Sequence, residues 1–241
     1  TLRRSSAASD VYKRQPASQI LAFTQSEGTK FEVFKTQFIW SKVTLNRGLF
    51  PTAGQSQSFA LQVAVPGSSL TYSKLTYRHK YFKPIFDGRF VLGFRGEIGA
   101  LEPYGDTEVA PFFEHYYAGG ISSVRGFKQN TLGPRAIPSQ FYLDNEGNPI
   151  TGDDGNPILN PYSYYRDDRS IGGAYLIEGG FDFIFKLPFI EDQRSMRSSF
   201  FVDIGNVFSK DCGIDQSNIN CSELDLGELR YSYGVGVTWI C

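Results

Sequence analysis

A single arginine stands inside the glycine-rich segment YYAGGISSVRGFKQN, where Val124-Arg125-Gly126-Phe127 follows the pair Gly119-Gly120. A loop arginine is ordinarily solvated and needs no partner. Here the glycines permit positive φ angles and close backbone approach, and Phe127 offers an apolar anchor beside the charge. The segment is therefore expected to hinge at Gly119 and Gly120 and to pack against the protein, which requires carboxylates near Arg125.

Two aspartates in later segments have the right setting to receive this arginine. Asp182 in GFDFIF and Asp203 in FFVDIG each alternate with aromatic or aliphatic residues, so both are expected on the polar face of a strand. A guanidinium presents five donors in a planar fork and can bind two carboxylates together, which a lysine cannot match. The sequence predicts that Arg125 holds its loop against an inner wall through Asp182 and Asp203.

The sequence gives little support to catalysis. It contains no G-x-S-x-G, Walker or H-E-x-x-H motif, and Gly234-Val235-Gly236 lies in an alternating segment without a third glycine. His79 and His115 stand beside tyrosines and far apart, which favours structural roles over metal ligation. No catalytic residue, metal site or cofactor is predicted, and the protein is not expected to be an enzyme.

The cysteines leave their own chemistry open. Cys212 and Cys221 bracket a polar loop with a spacing that suits a small disulfide in an oxidising compartment, but two free thiols are as compatible with the sequence. Cys241 has no evident mate, and zinc is disfavoured because no histidine lies near.

An acidic stretch contains the short repeat EGNPI and DGNPI at 146–150 and 154–158. The four carboxylates around the repeat suggest calcium, yet their spacing fits no EF-hand, and Gly-Asn-Pro is ordinary turn chemistry. Turns are therefore the favoured interpretation of this stretch, whose acidic residues are Asp144, Glu146, Asp153 and Asp154.

The amino-acid composition indicates which secondary structure positions these residues and which partners are excluded. The 21 Phe, 14 Tyr and 25 Gly with one Met favour β-structure, and 24 Lys+Arg against 25 Asp+Glu argue against a nucleic-acid partner. No apolar run reaches the roughly 18 residues of a membrane-spanning helix. Residues 1–15 are basic, Ser-rich and aperiodic, and are expected to be disordered or foreign to the fold. Residues 16–27 predict one short helix.

Seven segments after Phe31 alternate between apolar and polar residues with a period of two. Alternation alone also fits a soluble sandwich. Three features favour a transmembrane barrel instead: segments near the roughly nine to eleven residues that cross a bilayer, aromatic residues crowding the apolar face, and short connections alternating with the long ones at 102–172 and 209–230. The prediction is an all-β, antiparallel barrel in contact with lipid, with its one short helix in an extracellular loop.

At these same residues the chain resembles the BamA family of outer-membrane β-barrel assembly factors. The likeness lies in PFFEHYYAGG, the VRGF motif and NTLGPRA, and also in LNRGLFPTAG, VPGS, YSKLTY and SFFVDIGNVF, so it covers residues 16–241. The resemblance implies that VRGF belongs to an extracellular loop held by acids of the following strands, at Asp182 and Asp203. It also implies unfolded outer-membrane proteins as substrates, assembly lipoproteins as partners, and a bacterial outer-membrane location.

Seven strands are fewer than the family barrel contains. We therefore expect 16–241 to be a barrel fragment, open at both edges and lacking the first and last strands, because an unclosed edge is costly in lipid. Two other classes stay open. A two-partner secretion or translocation-assembly pore of the same superfamily shares the VRGF core, and a soluble β-sandwich binding module shares the alternation.

Overall fold

A computed structural model describes residues 17–136, 139–144, 148–160, 170–187, 196–209 and 224–239. The predictions for residues 1–15, the predicted pair Cys212 and Cys221, Cys241 and Glu146 lie outside these ranges. Within them, no helix is both long and apolar enough to cross a bilayer.

Seven antiparallel strands form one sheet in which every strand pairs with its neighbours in the sequence. This meander confirms the predicted all-β, antiparallel architecture of seven strands, and in the described residues the sheet does not close between its first and last strand. The strands are β1 (Lys35–Val43), β2 (Gly54–Ala64), β3 (Tyr72–Ile85), β4 (Phe90–Pro103), β5 (Tyr175–Phe185), β6 (Met196–Phe208) and β7 (Arg230–Trp239).

The register places apolar and polar side chains on opposite faces of the sheet. Phe94 lies opposite Phe181, which lies opposite Val202, and the next row joins Gly93, Asp182 and Phe201. The first row points outward and leaves Phe94 48% exposed, an exposure that suits contact with lipid rather than with a second layer. The second row points inward, toward the charged residues of the long loop.

Connections at the two ends of the sheet differ in length. Residues 44–53, 86–89 and 186–195 join strands at one end, called here the short-turn end. Residues 65–71, 104–174 and 209–229 join them at the other, the long-loop end. Helix α1 (Ser18–Glu27) agrees with the predicted short helix and lies at the long-loop end, where Phe23 packs against Phe31 and Phe112.

The buried core lies between the concave inner face of the sheet and the loop at 104–174. Tyr72, Leu101 and Val207 from the wall meet Val124 and Leu132 from the loop, and all five are almost wholly removed from solvent. The loop therefore supplies the second packing layer that a single sheet needs.

Candidate functional site

The loop that carries VRGF begins with anchors to two inner-wall strands. The Glu114 carboxylate pairs with Lys35 of β1, and its backbone carbonyl accepts a hydrogen bond from Lys74 of β3 at 2.6 Å. The Tyr116 hydroxyl donates to the Leu75 carbonyl at 2.7 Å. The Tyr116 ring lies over Gly99, where an added Cβ would come within 2.6 Å of the ring. These contacts fix the start of the loop above the wall.

Two glycines then turn the chain toward the lumen. Gly119 and Gly120 adopt φ angles of 101° and 109°, which favour glycine over any residue with a Cβ. The Ala118 carbonyl accepts from the Leu132 N–H at 3.1 Å, so the segment between them is closed at its base. The structure thus places both predicted hinge residues at a tight turn immediately before VRGF.

Arg125 lies against both predicted carboxylates. Its Nε and Nη2 donate to the two oxygens of Asp203 at 2.6 and 2.8 Å, and its Nη1 donates to Oδ1 of Asp182 at 2.9 Å. The Arg125 backbone N–H also donates to Asp203 at 3.0 Å. The guanidinium therefore forms a bidentate pair with one aspartate and a single bond to the other, which uses the planar fork of arginine.

The surroundings of this ion pair keep it in place. The Asp203 side chain is 0% exposed, and the Arg125 guanidinium stacks 3.8 Å from the centre of the Phe201 ring. Burial alone would lower the pKa of Arg125, but its hydrogen bonds to Asp203 and Asp182 raise that pKa above the ordinary range of arginine. Arg125 is therefore cationic at every physiological pH.

A second arginine, which the sequence analysis did not identify, completes the cluster. Arg95 of β4 approaches Oδ1 of Asp203 to 2.7 Å, and it donates to the backbone carbonyls of Ser122 at 3.1 Å and Ser123 at 2.6 Å. Its Nε is buried without a hydrogen-bond partner among the described residues. Arg95 therefore binds the loop backbone and the wall carboxylate at once.

Sequence periodicity alone gave only a weak signal for Arg95. Its register places it in a row with Gly180 and Asp203, and glycine at the middle position leaves the space through which Arg95 reaches Asp203. A Cβ on Gly180 would approach Arg95 Nε to 2.4 Å and Asp203 Oδ1 to 2.6 Å. In the folded sheet, the inward Gly180 between the inward Arg95 and Asp203 marks the contact between these two charges. The sequence does not reveal this contact, because it depends on the strand register.

Ser123 links the loop to a third acid of the wall. Its hydroxyl donates to the Glu178 carboxylate and accepts from the Gly119 N–H at 2.9 Å. Glu178 lies directly opposite Glu97 in the neighbouring strand, and Glu97 accepts from Arg78 at 2.7 Å. The polar inner surface under the loop therefore carries the Arg78–Glu97 ion pair beside Glu178, whose described hydrogen-bond partner is the Ser123 hydroxyl.

The other motif residues fit the loop to the wall by shape. Val124 is fully buried over Gly205, where an added Cβ would lie 2.9 Å from its Cγ2. Gly126 has a φ of 88° and faces Ser232 of β7, while Phe127 is partly buried against the core. We call the assembly of Val124, Arg125, Arg95, Asp182 and Asp203 the loop lock.

The remaining candidate residues lie apart from the loop lock. His79 is in β3, and Nδ1 of His115 contacts the Ile171 carbonyl at 2.9 Å. Asp144 and Asp154 accept from the backbone N–H of Asn148 and Asn156 at 2.9 and 3.1 Å, which is turn chemistry. Within the described ranges, no group of three or more His, Cys, Asp or Glu residues is placed to hold a metal.

Comparison with known proteins gives the family. A model of the Omp85 superfamily domain matches residues 2–241. The outer membrane protein assembly factor BamA of Neisseria meningitidis serogroup B (strain ATCC BAA-335 / MC58) is 29% identical over 253 residues, which covers 96% of this chain and 28% of that protein.

The fold agrees with a solved structure of the same kind. BamA from Haemophilus ducreyi lacking POTRA domains 1–3 matches with a TM-score of 0.73 at 26% identity, over 93% of this chain and 42% of that one. The chain spans less than half the length of either relative. The sheet, its apolar outer face and the family match together place it in the bacterial outer membrane, and the chain belongs to the Omp85 superfamily.

Proposed function

We propose that this chain is the part of an outer-membrane protein assembly factor in which the VRGF loop packs inside the barrel and holds the inner wall in shape. The protein acts without catalysis or a cofactor. Its substrates are unfolded outer-membrane proteins, and its partners are assembly lipoproteins. The outer face of its sheet contacts the lipid bilayer. The BamA relatives support this assignment at the level of the family.

The observation that carries the proposal is the loop lock. Four N–H groups of Arg125 and Arg95 converge on Asp203, and a fifth, Nη1 of Arg125, reaches Asp182. A solvated loop would not require a fully buried carboxylate on the wall, since burial of an unpaired charge is costly. The lock therefore serves to fix the loop to β5 and β6 while the outer face contacts lipid.

The aromatic outer face of the sheet supports the proposal that the protein lies in a membrane. Its aromatic side chains form stacked or edge contacts, as between Phe90 and Phe183 at 5.0 Å and between Phe185 and Phe200 at 5.0 Å. Phe200 is 53% exposed, and in water such a surface would favour aggregation. A bilayer removes that cost because its hydrocarbon solvates apolar side chains.

The test uses Arg125→Ala in the full-length protein. Removing the guanidinium leaves Asp203 and Asp182 close together with fewer partners, at a cost of roughly 1 to 3 kcal/mol. We expect impaired insertion of outer-membrane proteins into vesicles, with faster protease cleavage of the loop. Lys128→Ala, a change of equal charge in the same loop but outside the described ion pairs, is the control.

Two results would contradict the proposal. If Arg125→Ala inserted outer-membrane proteins at the normal rate and its loop resisted protease as before, the loop lock would not serve assembly. If the native protein failed to insert them but exported a secreted passenger across the membrane, the protein would instead be a two-partner secretion or translocation-assembly pore.

A further inference from the structure

The turn between β1 and β2 is held by its own hydrogen bonds and contains no residue of the loop lock. This turn, LNRGLFPTAG, is held by Asn46, whose side chain accepts from the backbone N–H of Thr52 at 3.1 Å and of Ala53 at 3.2 Å. The Asn46 N–H donates to the Ala53 carbonyl at 3.1 Å. A turn closed on itself in this way keeps its shape without help from the rest of the sheet.

This turn reaches across the lumen to an arginine of β6. Phe50 adopts a φ of 46°, a region that bulky residues rarely occupy, and its ring lies 5.4 Å from the guanidinium of Arg197. Phe82 lies 5.0 Å from the same guanidinium, and the Pro51 carbonyl accepts a hydrogen bond from Arg197. The two rings and the carbonyl hold the guanidinium in one orientation.

Between the turn and the wall lies a cavity of about 170 Å³. Arg47, Arg89, Lys186 and Arg197 line it, and the buried side chains of Val91 and Ile184 form part of its wall. The four cations come from three connections and one strand, so only the fold brings them together. We call this cavity the basic pocket.

The basic pocket holds no ion pair within the described part of the chain. Of its four cations, Arg47 donates only to the hydroxyl of Thr52, at 3.3 Å. Asp182 lies near enough to act electrostatically on Arg197, but its carboxylate forms its ion pair with Arg125, at 2.9 Å. Like charges gathered without a counter-ion raise the local concentration of anions and favour binding of one.

The strand register shows whether the basic pocket faces the lumen or the lipid, and so whether a polypeptide or a lipid anion reaches it. Val91 and Ile184 are paired and share the inward face with Asp182, whereas Phe90, Phe183 and Phe185 point to the opposite, lipid-facing side. The basic pocket therefore opens at the mouth of the lumen, separated from acyl chains by the wall. A polypeptide segment has direct access to this position, and a planar guanidinium matches a carboxylate by bidentate geometry.

We propose that the β1–β2 turn and Arg197 form a binding site for the carboxylate side chain of an acidic polypeptide segment at the short-turn end of the barrel. Arg197 is the central contact, oriented by Phe50 and Phe82. Arg47, Arg89 and Lys186 attract the acidic segment from the rim. This role concerns a partner contact and does not depend on the loop lock.

The test measures binding of Ac-Gly-Glu-Glu-Glu-Gly-amide to the full-length protein in detergent micelles by isothermal titration calorimetry. We expect the glutamine counterpart of this peptide not to bind. Arg197→Gln should weaken binding by about tenfold, and the combined R47Q/R89Q/K186Q variant by a similar factor that shrinks at high salt. Lys30→Gln, the same charge change at the opposite end of the sheet, should change nothing.

Folding is checked for each variant by its heat-modifiable migration on gels. If Arg197→Gln did not fold, the exposed rim variants would still test the proposal. Equal binding of the glutamate and glutamine peptides, or full binding by the combined rim variant, would overturn it. Micelles doped with phosphatidylglycerol provide a third arm: phosphatidylglycerol binding by the native protein without peptide binding would assign the pocket to a lipid and reject the polypeptide.

Discussion

The inner wall carries arginines at both ends, but their electrostatic surroundings are opposite. At the long-loop end, Arg125 and Arg95 share the fully buried Asp203. At the short-turn end, Arg197 lies 5.4 and 5.0 Å from the ring centres of Phe50 and Phe82 and forms no ion pair among the described residues. Paired charges fix a segment of the same chain, whereas oriented but unpaired charges are available to another molecule.

The same difference sets the size of the effect that a substitution should have. Breaking a buried pair leaves an uncompensated charge and is strongly destabilising, while changing an exposed charge costs little. Substitutions in the loop lock should therefore act on folding and loop order, and substitutions in the basic pocket on binding.

The largest effect is expected from Asp203→Ala, since it removes the carboxylate that both arginines share. We expect a loss of about 3–5 kcal/mol in the free energy of unfolding, measured by urea titration in micelles. Asp106→Ala, at an exposed turn where the structure describes no side-chain hydrogen bond, is the matched control and should unfold as the native protein does. A shift for Asp203→Ala as small as that of the control would remove the distinction between the two ends.

A double-mutant cycle sharpens the assignment of Arg95. Because Arg95 and Arg125 bind the same carboxylate, Arg95→Gln and Arg125→Gln should couple by about 0.5–3 kcal/mol. The cycle of Arg125 with Arg78, which pairs with Glu97 at 2.7 Å, should be closer to additive. Additivity in both cycles would mean that Arg95 supports the wall but does not take part in the lock.

Gly205→Ala tests the shape of the lock without changing any charge. The new methyl group would lie 2.8 Å from Glu178 Cβ, 2.9 Å from the Ile177 carbonyl oxygen and 2.9 Å from Val124 Cγ2, so the packing of the loop on the wall has to shift. Overpacking of this kind costs about 1–3 kcal/mol, and proteolysis of the loop should speed up accordingly. Gly48→Ala, where nothing lies within 4 Å of the added Cβ, is the control. An unchanged cleavage rate for Gly205→Ala would show that Val124 does not need its buried position.

The smallest effect is expected when a fall in pH protonates His115 in the packed loop. Burial, with a smaller contribution from Lys74, lowers the pKa of His115 below its usual 6.5, so the packed loop disfavours the protonated imidazole. The stabilisation is complete above pH 6.5 and is lost as the pH falls toward the lower pKa of the folded protein. Protease resistance of the loop should therefore decline from about pH 7 to 5. His115→Gln should remove that part of the decline, and an identical decline in this variant would assign the pH dependence to other groups.

The architecture and part of the loop lock were predictable from the sequence, for physical reasons. Alternation fixes which side chains share a face, so the outward Phe181 and Phe183 and the inward Asp182 followed from period two alone. The VRGF segment stood out because an arginine between glycines and an aromatic is unusual in a solvated loop. The structure brings Arg125 together with Asp182 and Asp203, as the chemistry of the guanidinium fork led us to expect.

Arg95 and the basic pocket could not be found in this way. Strands β4 and β5 are joined by residues 104–174, and so long a connection does not set the register that brings Arg95 to Asp203. The basic pocket depends on a turn that crosses the lumen to reach Arg197, far away in the sequence. Both features bring together residues that are far apart in the sequence, and the alternation within one strand does not predict such contacts.

The loop at 104–174 touches strands across the whole concave face. Its start is bound to Lys35 of β1 and Leu75 of β3, while its VRGF segment is bound to Asp182 of β5 and Asp203 of β6. If the sheet flattened, these two sets of attachment points would move apart and load the loop in tension. The loop is therefore a mechanical tie across an arch: it limits how far the wall can straighten, and cutting it should let the radius of curvature relax.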